Sequence, residues 1–225
     1  MPDTKLSWRG LREHLRKYLW LYLLGAVLGL FGAELLWTMT RPRVPSTASV
    51  NIYLAAPYAD AEPLQALAPD LLARVQADDP SVQQLSFETM MYNDQIYTSN
   101  MLLLTRLTVG ECDAFLASPE AMDALVTSDT LVPLDDALAG GWMGAYGLEP
   151  YVVTTEDQET GAQTTWTAGL RLDSVDALAR MQAFDNKGAF LCVVSNGGNA
   201  DAAMKALEYL IGDLTEDGHA GTKAA

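Results

Sequence analysis

The sequence predicts an α/β fold: a three-layer, mostly parallel sheet with helices on both faces plus an antiparallel hairpin, preceded by one transmembrane helix. Three observations carry this. One uninterrupted apolar run lies near the start. Short apolar strands then alternate with segments of helical periodicity. Charge is split sharply, with seven Lys/Arg and three Asp/Glu up to Arg43, against seven and 26 afterwards, a net of -19 for that later part.

Residues 1–17 form a basic segment with Lys5, Arg9, Arg12, Arg16 and Lys17. The apolar run of residues 18–39 has the length of a bilayer span, with Trp20, Tyr22 and Trp37 near its ends, where aromatic rings favour the interface. Flanking positive charge predicts a cytoplasmic N-terminus and an extracytoplasmic remainder, a single pass through the cell membrane. The run exceeds a signal-peptide core, so an uncleaved signal-anchor is expected. Gly25, Gly29 and Ala33 repeat every four residues, which lets another helix approach closely. Glu34 beside them is costly in lipid. Two prolines make residues 40–48 a stiff linker.

The extracytoplasmic domain is expected over 49–214. Residues 50–54 alternate as a strand, and 61–77 carry Leu64, Leu67, Leu71, Leu72 and Val75 at helical spacing. Residues 82–90 read as a second strand. Residues 98–109, nearly all apolar, predict a well-buried helix capped by Ser99 or Asn100 and ended by Gly110. A short strand over 113–116 runs into Ser118-Pro119-Glu120. There Ser caps, Pro suits the first helical position and Glu complements the dipole.

Asp135-Asp136 read as a solvated helix start, and residues 140–147 as an aromatic loop. Residues 151–155 and 163–172 form a hairpin around "EDQETG". A helix over 173–184, a strand over 189–194 and a last helix from Ala200 complete the pattern. Residues 215–225 are expected to be a disordered polar tail. In such sheets ligands bind outside the carboxyl ends of strands. Those ends nominate Tyr58, Tyr92, Asn93, Ser118 and Asn196.

The charge argues against nucleic acid as a partner. His14 and His219 both fall outside the predicted domain, so a His-based triad or zinc site there is excluded. Neither a phosphate-binding glycine loop nor an EF-hand spacing occurs. The expectation is no enzyme, no cofactor and no metal. Cys112 and Cys192 are either two buried thiols or a disulfide.

"LTRLTVGECDAFLASPEAMDALVTSDTLVPLDDAL" resembles part of the extracellular solute-binding proteins of ABC importers, through Gly110, Asp113, Pro133, Leu134, Asp135 and Asp136. "GAFLCVVSNGGNADAAMKALEYLIG" resembles a late strand and helix of the same family, through Ser195, Ala202, Ala203, Leu207 and Tyr209. Those proteins usually have two lobes around a ligand. This domain has the length of one. The resemblance implies a periplasmic-binding-like fold; the single lobe, the anchor and the small-residue stripe then point to a non-catalytic, membrane-anchored module that binds a protein partner or transporter component. The alternative is a small-ligand receptor for sugar or peptide, feeding an importer or sensor, with Tyr58, Tyr92, Trp142 and Tyr146 as stacking surfaces.

Overall fold

The computed structural model describes residues 8–40, 44–156 and 162–222, with side chains described for 16–40, 44–156 and 162–215. Lys5, linker residues 41–43 and most of the "EDQETG" turn lie outside the described residues. The chain divides into two compact units, Met1–Arg43 and Val44–Ala225.

The first unit is one helix, α1 (Trp8–Thr40). It starts ten residues before the apolar run, so the basic segment is helical from Trp8. Its stretch Arg16–Thr40 is 25 residues long with mean hydropathy 1.9, and none of its 18-residue span window is buried. By length and composition it can cross a membrane, a test that a signal sequence also passes. Leu19, Leu23, Leu30, Phe31 and Leu35 are exposed. A Cβ added at Gly25 or Gly29 would meet nothing within 4 Å. Thr38 and Thr40 return their hydroxyls to the Glu34 and Leu36 carbonyls at 2.8 and 2.6 Å, so both polar side chains are satisfied within the helix.

The second unit holds β1 (Ser49–Ala56), α2 (Glu62–Gln65), α3 (Ala68–Asp78), β2 (Gln84–Met91), α4 (Tyr97–Val109) and β3 (Ala114–Ala117). It continues with α5 (Pro119–Thr127), α6 (Asp135–Ala139), β4 (Pro150–Glu156), β5 (Gln163–Arg171), α7 (Asp176–Arg180), β6 (Phe190–Val193) and α8 (Ala200–Thr222). The expected linker ends early. Ser46–Ala48 is a 3-10 turn of the domain, and Asn199 donates its side-chain amide to the Ser46 and Ser49 carbonyls at 2.7 and 2.8 Å.

The six strands form one mixed sheet in the order β2-β1-β3-β6-β5-β4. β2, β1 and β3 are parallel. β6 is antiparallel to β3, against the parallel expectation, with Ala114 opposite Val193 and Ala117 opposite Phe190. The predicted hairpin β4–β5 forms, and β5 pairs with β6, so it extends the same sheet. The physical reason is long-range: β6 lies between β3 and β5 and pairs antiparallel with both, a direction that its four apolar residues do not encode locally.

β1 alternates between two cores. Val50, Ile52, Leu54 and Ala56 face a cluster containing Leu71 and Val75 of α3 and Leu207, Leu210 and Ile211 of α8. Tyr53 and Ala55 face a second cluster containing Leu103 and Leu107 of α4 and Met122 and Leu125 of α5. The step from β1 to β2 and the step from β2 across to β3 go in opposite directions. One handedness for both crossovers therefore sends α3 and α4 to opposite faces.

Several helices depart from expectation. The first predicted helix is two, α2 and α3, broken at Ala66–Leu67; Pro69, near the start of α3, cannot donate a backbone bond to the preceding turn. α4 has no side-chain cap, and Ser99 and Asn100 lie inside it. It is not buried all round: Leu103 and Leu107 are, whereas Tyr97, Met101, Leu102, Leu104 and Val109 are exposed. α7 is only five residues long, because the chain turns at Gln182 with φ +59°. α8 continues to Thr222, past the predicted boundary at Leu214 and through His219.

Candidate functional site

The parallel strands β1, β2 and β3 end at one edge of the sheet, at Ala56, Met91 and Ala117. At the last of these, Ser118 is the predicted cap: its Oγ accepts the Ala121 N–H at 3.4 Å, with Pro119 and Glu120 in the first turn of α5. Ser118 is itself buried. Its hydroxyl serves the helix rather than a ligand.

Between α4 and α5 lies a groove of about 550 Å³, lined by Tyr92, Asn100, Leu103, Leu104, Ala124, Thr127 and Ser128 and by the carboxylates of Asp94, Glu120 and Asp123. The Tyr92 ring is buried, and its hydroxyl donates to Asn100 Oδ1. Burial first, then the charges of Asp94, Glu120 and Asp123, push the Tyr92 phenol pKa up. Those three carboxylates line the same groove. No Lys or Arg lines the groove, and neither Glu120 nor Asp123 forms an ion pair among the described residues. Asn93, predicted to face ligand, is spent on the turn into α4: its Oδ1 accepts the Gln95 N–H at 2.9 Å and its carbonyl the Ile96 N–H at 3.1 Å.

Beside the groove the outer face of α4 shows Tyr97 at 75% exposure, with Met101, Leu102, Leu104 and Val109. Residues 95–105 contain no charge. The only cation on the helix, Arg106, folds back: its guanidinium lies 4.9 Å from the Tyr53 ring centroid and reaches Tyr53 Oη at 2.5 Å and Glu88 at 3.2 Å. Burial, then the hydrogen bond and charge of Glu88, raise the Tyr53 phenol.

The other predicted residues do not join this groove. Tyr58 is 81% exposed and borders a separate depression of about 450 Å³ with Ala179, Gln182, Phe184 and Asp185. Trp142 donates its indole N–H to the Met204 carbonyl at 3.0 Å. Tyr146 packs so near α8 that a Cβ at Gly212 would sit 2.9 Å from its phenol oxygen. Both rings pack against the α3/α8 core. Asn196 is displaced for a topological reason. Antiparallel β6 ends at the start of β3, so Asn196 lies at the opposite edge of the sheet, its amide 3.4 Å from the Leu107 carbonyl. Gly25, Gly29, Ala33 and Glu34 belong to the first unit.

At that opposite edge, buried Asp113 accepts the Asn51 N–H through Oδ2 at 2.8 Å, while Oδ1 has no hydrogen-bond partner among the described residues. Burial pushes its pKa up to about 6, against the smaller opposing pull of the Asn51 and Asn199 amides. Asp135 is more than a solvated helix start: it accepts Thr167 N–H and Oγ1–H at 3.0 and 2.9 Å, which lowers its pKa and fixes β5. Cys112 and Cys192 are free and buried, and burial pushes both thiols up to about 12, far from a reactive thiolate.

Sequence reasoning missed the groove-lining Asp94, Asn100, Leu103, Leu104, Glu120 and Asp123. The signal was present in Thr98, Ser99, Thr105 and Thr108, which dilute the apolar run and deny it a fully buried environment. Compared with models of known families and with curated proteins, the chain matches none.

Proposed function

We propose that this chain is a membrane-anchored, extracytoplasmic module, solute-binding-like in fold and non-catalytic, that docks a protein partner or transporter component through α4. The observation that carries the reading is the outer face of α4: Tyr97, Met101, Leu102 and Leu104 stand in water without an intervening charge, on a domain that is otherwise strongly acidic. A soluble domain gains nothing from that arrangement unless something covers it. α1 supplies the anchor, with the cytoplasmic N-terminus that the flanking positive charge favours. The receptor alternative needs Tyr58, Tyr92, Trp142 and Tyr146 to converge. Their dispersal over two cores and a separate depression supports docking instead.

The size of the complex in gently solubilised native membranes tests this. The wild-type chain is expected to migrate as an assembly larger than its monomer, and a Met101→Ser/Leu104→Ser variant as the monomer. Migration of the wild type as a monomer, or stabilisation of the purified chain by sugars or peptides, would favour the alternative.

A further inference from the structure

The α4/α5 groove is acidic as well as apolar, and the combination selects among partners. We infer that its occupant is a cationic amphipathic helix of a partner protein, apolar on one face and flanked by Lys or Arg. This rests on the docking role of α4 and adds the chemistry of what docks.

The argument has three parts. Leu103 and Leu104 give the groove an apolar lining, and Tyr97 and Met101 extend the exposed apolar surface along the same helix. Asp94, Glu120 and Asp123 supply negative charge on its lining, no Lys or Arg lining residue neutralises it, and Arg106 is engaged elsewhere. A ligand that brings its own positive charge beside an apolar stripe therefore satisfies both features, whereas an acidic one is repelled by the carboxylates. Size then decides between a small cation and a chain. α4 is 13 residues long, about 20 Å, and its apolar residues are exposed along that length. A small molecule would leave most of them in water, whereas an amphipathic helix covers such a strip with anchors at successive turns. An anionic lipid surface is repelled by the same carboxylates.

The test uses the full chain in detergent micelles and two synthetic 18-residue helical peptides, one of Leu and Lys, the other with every Lys replaced by Glu. Fluorescence anisotropy is expected to show binding of the Lys peptide, weakened by salt, and none of the Glu peptide. Glu120→Gln/Asp123→Asn should weaken binding about fivefold, as loss of two exposed charge pairs of modest strength does. Both residues are exposed, so the variant retains the fold, which circular dichroism checks. A control pair on the other helix face, Glu62→Gln/Asp70→Asn, should leave binding unchanged. Equal weakening by the control pair would overturn the inference, because the general acidity of the domain would then be the attractant. Spermidine competing as well as the Lys peptide would overturn it in favour of a small cation. Loss of a chain dimer, seen by sedimentation, in Met101→Ser/Leu104→Ser would overturn it in favour of a second copy. Failure of the Lys peptide while the native assembly still depends on Met101 and Leu104 would overturn the charge selection and leave the docking role standing.

Discussion

Asp113 Oδ2 accepts the backbone N–H of Asn51 at 2.8 Å, joining the end of the loop before β3 to β1 across 62 residues of sequence. The bond holds a carboxylate in a place that does not suit its charge, and the pH dependence of stability follows. An Asp whose folded pKa is raised from 3.8 to about 6 favours the fold when protonated. That contribution is complete below 3.8 and is lost as the pH rises through 6. Between pH 7 and pH 5 the wild type should gain about 1 kcal/mol relative to Asp113→Asn. Denaturant titrations of both proteins at the two pH values measure it; a constant difference contradicts the assignment.

Gly197 lies against the same carboxylate. A Cβ there would sit 2.2 Å from Asp113 Oδ1 and 2.6 Å from the Cys112 carbonyl, while at Gly198, with φ +81°, it would meet nothing within 4 Å. Gly197→Ala should therefore cost well over 2 kcal/mol, as overpacking against backbone does. Gly198→Ala should cost only the left-handed penalty of about 1–2 kcal/mol. Thermal denaturation of the two variants gives the order.

Ser118→Ala removes the cap of α5 and should cost about 1 kcal/mol, with Ser118→Asp retaining most of it. Equal loss in both variants would mean that burial of the hydroxyl, rather than its bond to Ala121, matters.

Adjacent leucines on α4 should behave oppositely. Leu103 is fully buried and Leu104 is 46% exposed. Leu103→Ala should cost about 2–5 kcal/mol, and Leu104→Ser about 0.5 kcal/mol or less. A large cost at Leu104 would show that the outer face is core after all.

What the sequence revealed and what it concealed divide along a physical line. Local rules placed the Ser118 cap, the Gly110 terminator at φ +72° and the β4–β5 hairpin, because each depends on a few neighbouring residues. Strand order and direction depend on contacts distant in sequence. The apolar run of β6 is equally consistent with a parallel and an antiparallel neighbour, so Asn196 was assigned to the wrong edge. The α4 run misled for another reason: the sheet buries one stripe of the helix, Leu103 and Leu107, and composition does not tell which or how many of its apolar residues lie on that stripe. Tyr92 is legible from its place at a strand end, but Asp94 comes from the loop before α4 and Glu120 and Asp123 from α5, and only the fold brings them to one groove.

The most direct measurement is site-specific photo-cross-linking in native membranes, with the reactive group placed at Leu104 or, as a reference, at Asp70 on α3. Docking through α4 predicts a discrete cross-linked product from position 104 that is absent from position 70. Equal products from both positions, or none from position 104 in membranes where the chain is folded, would contradict it.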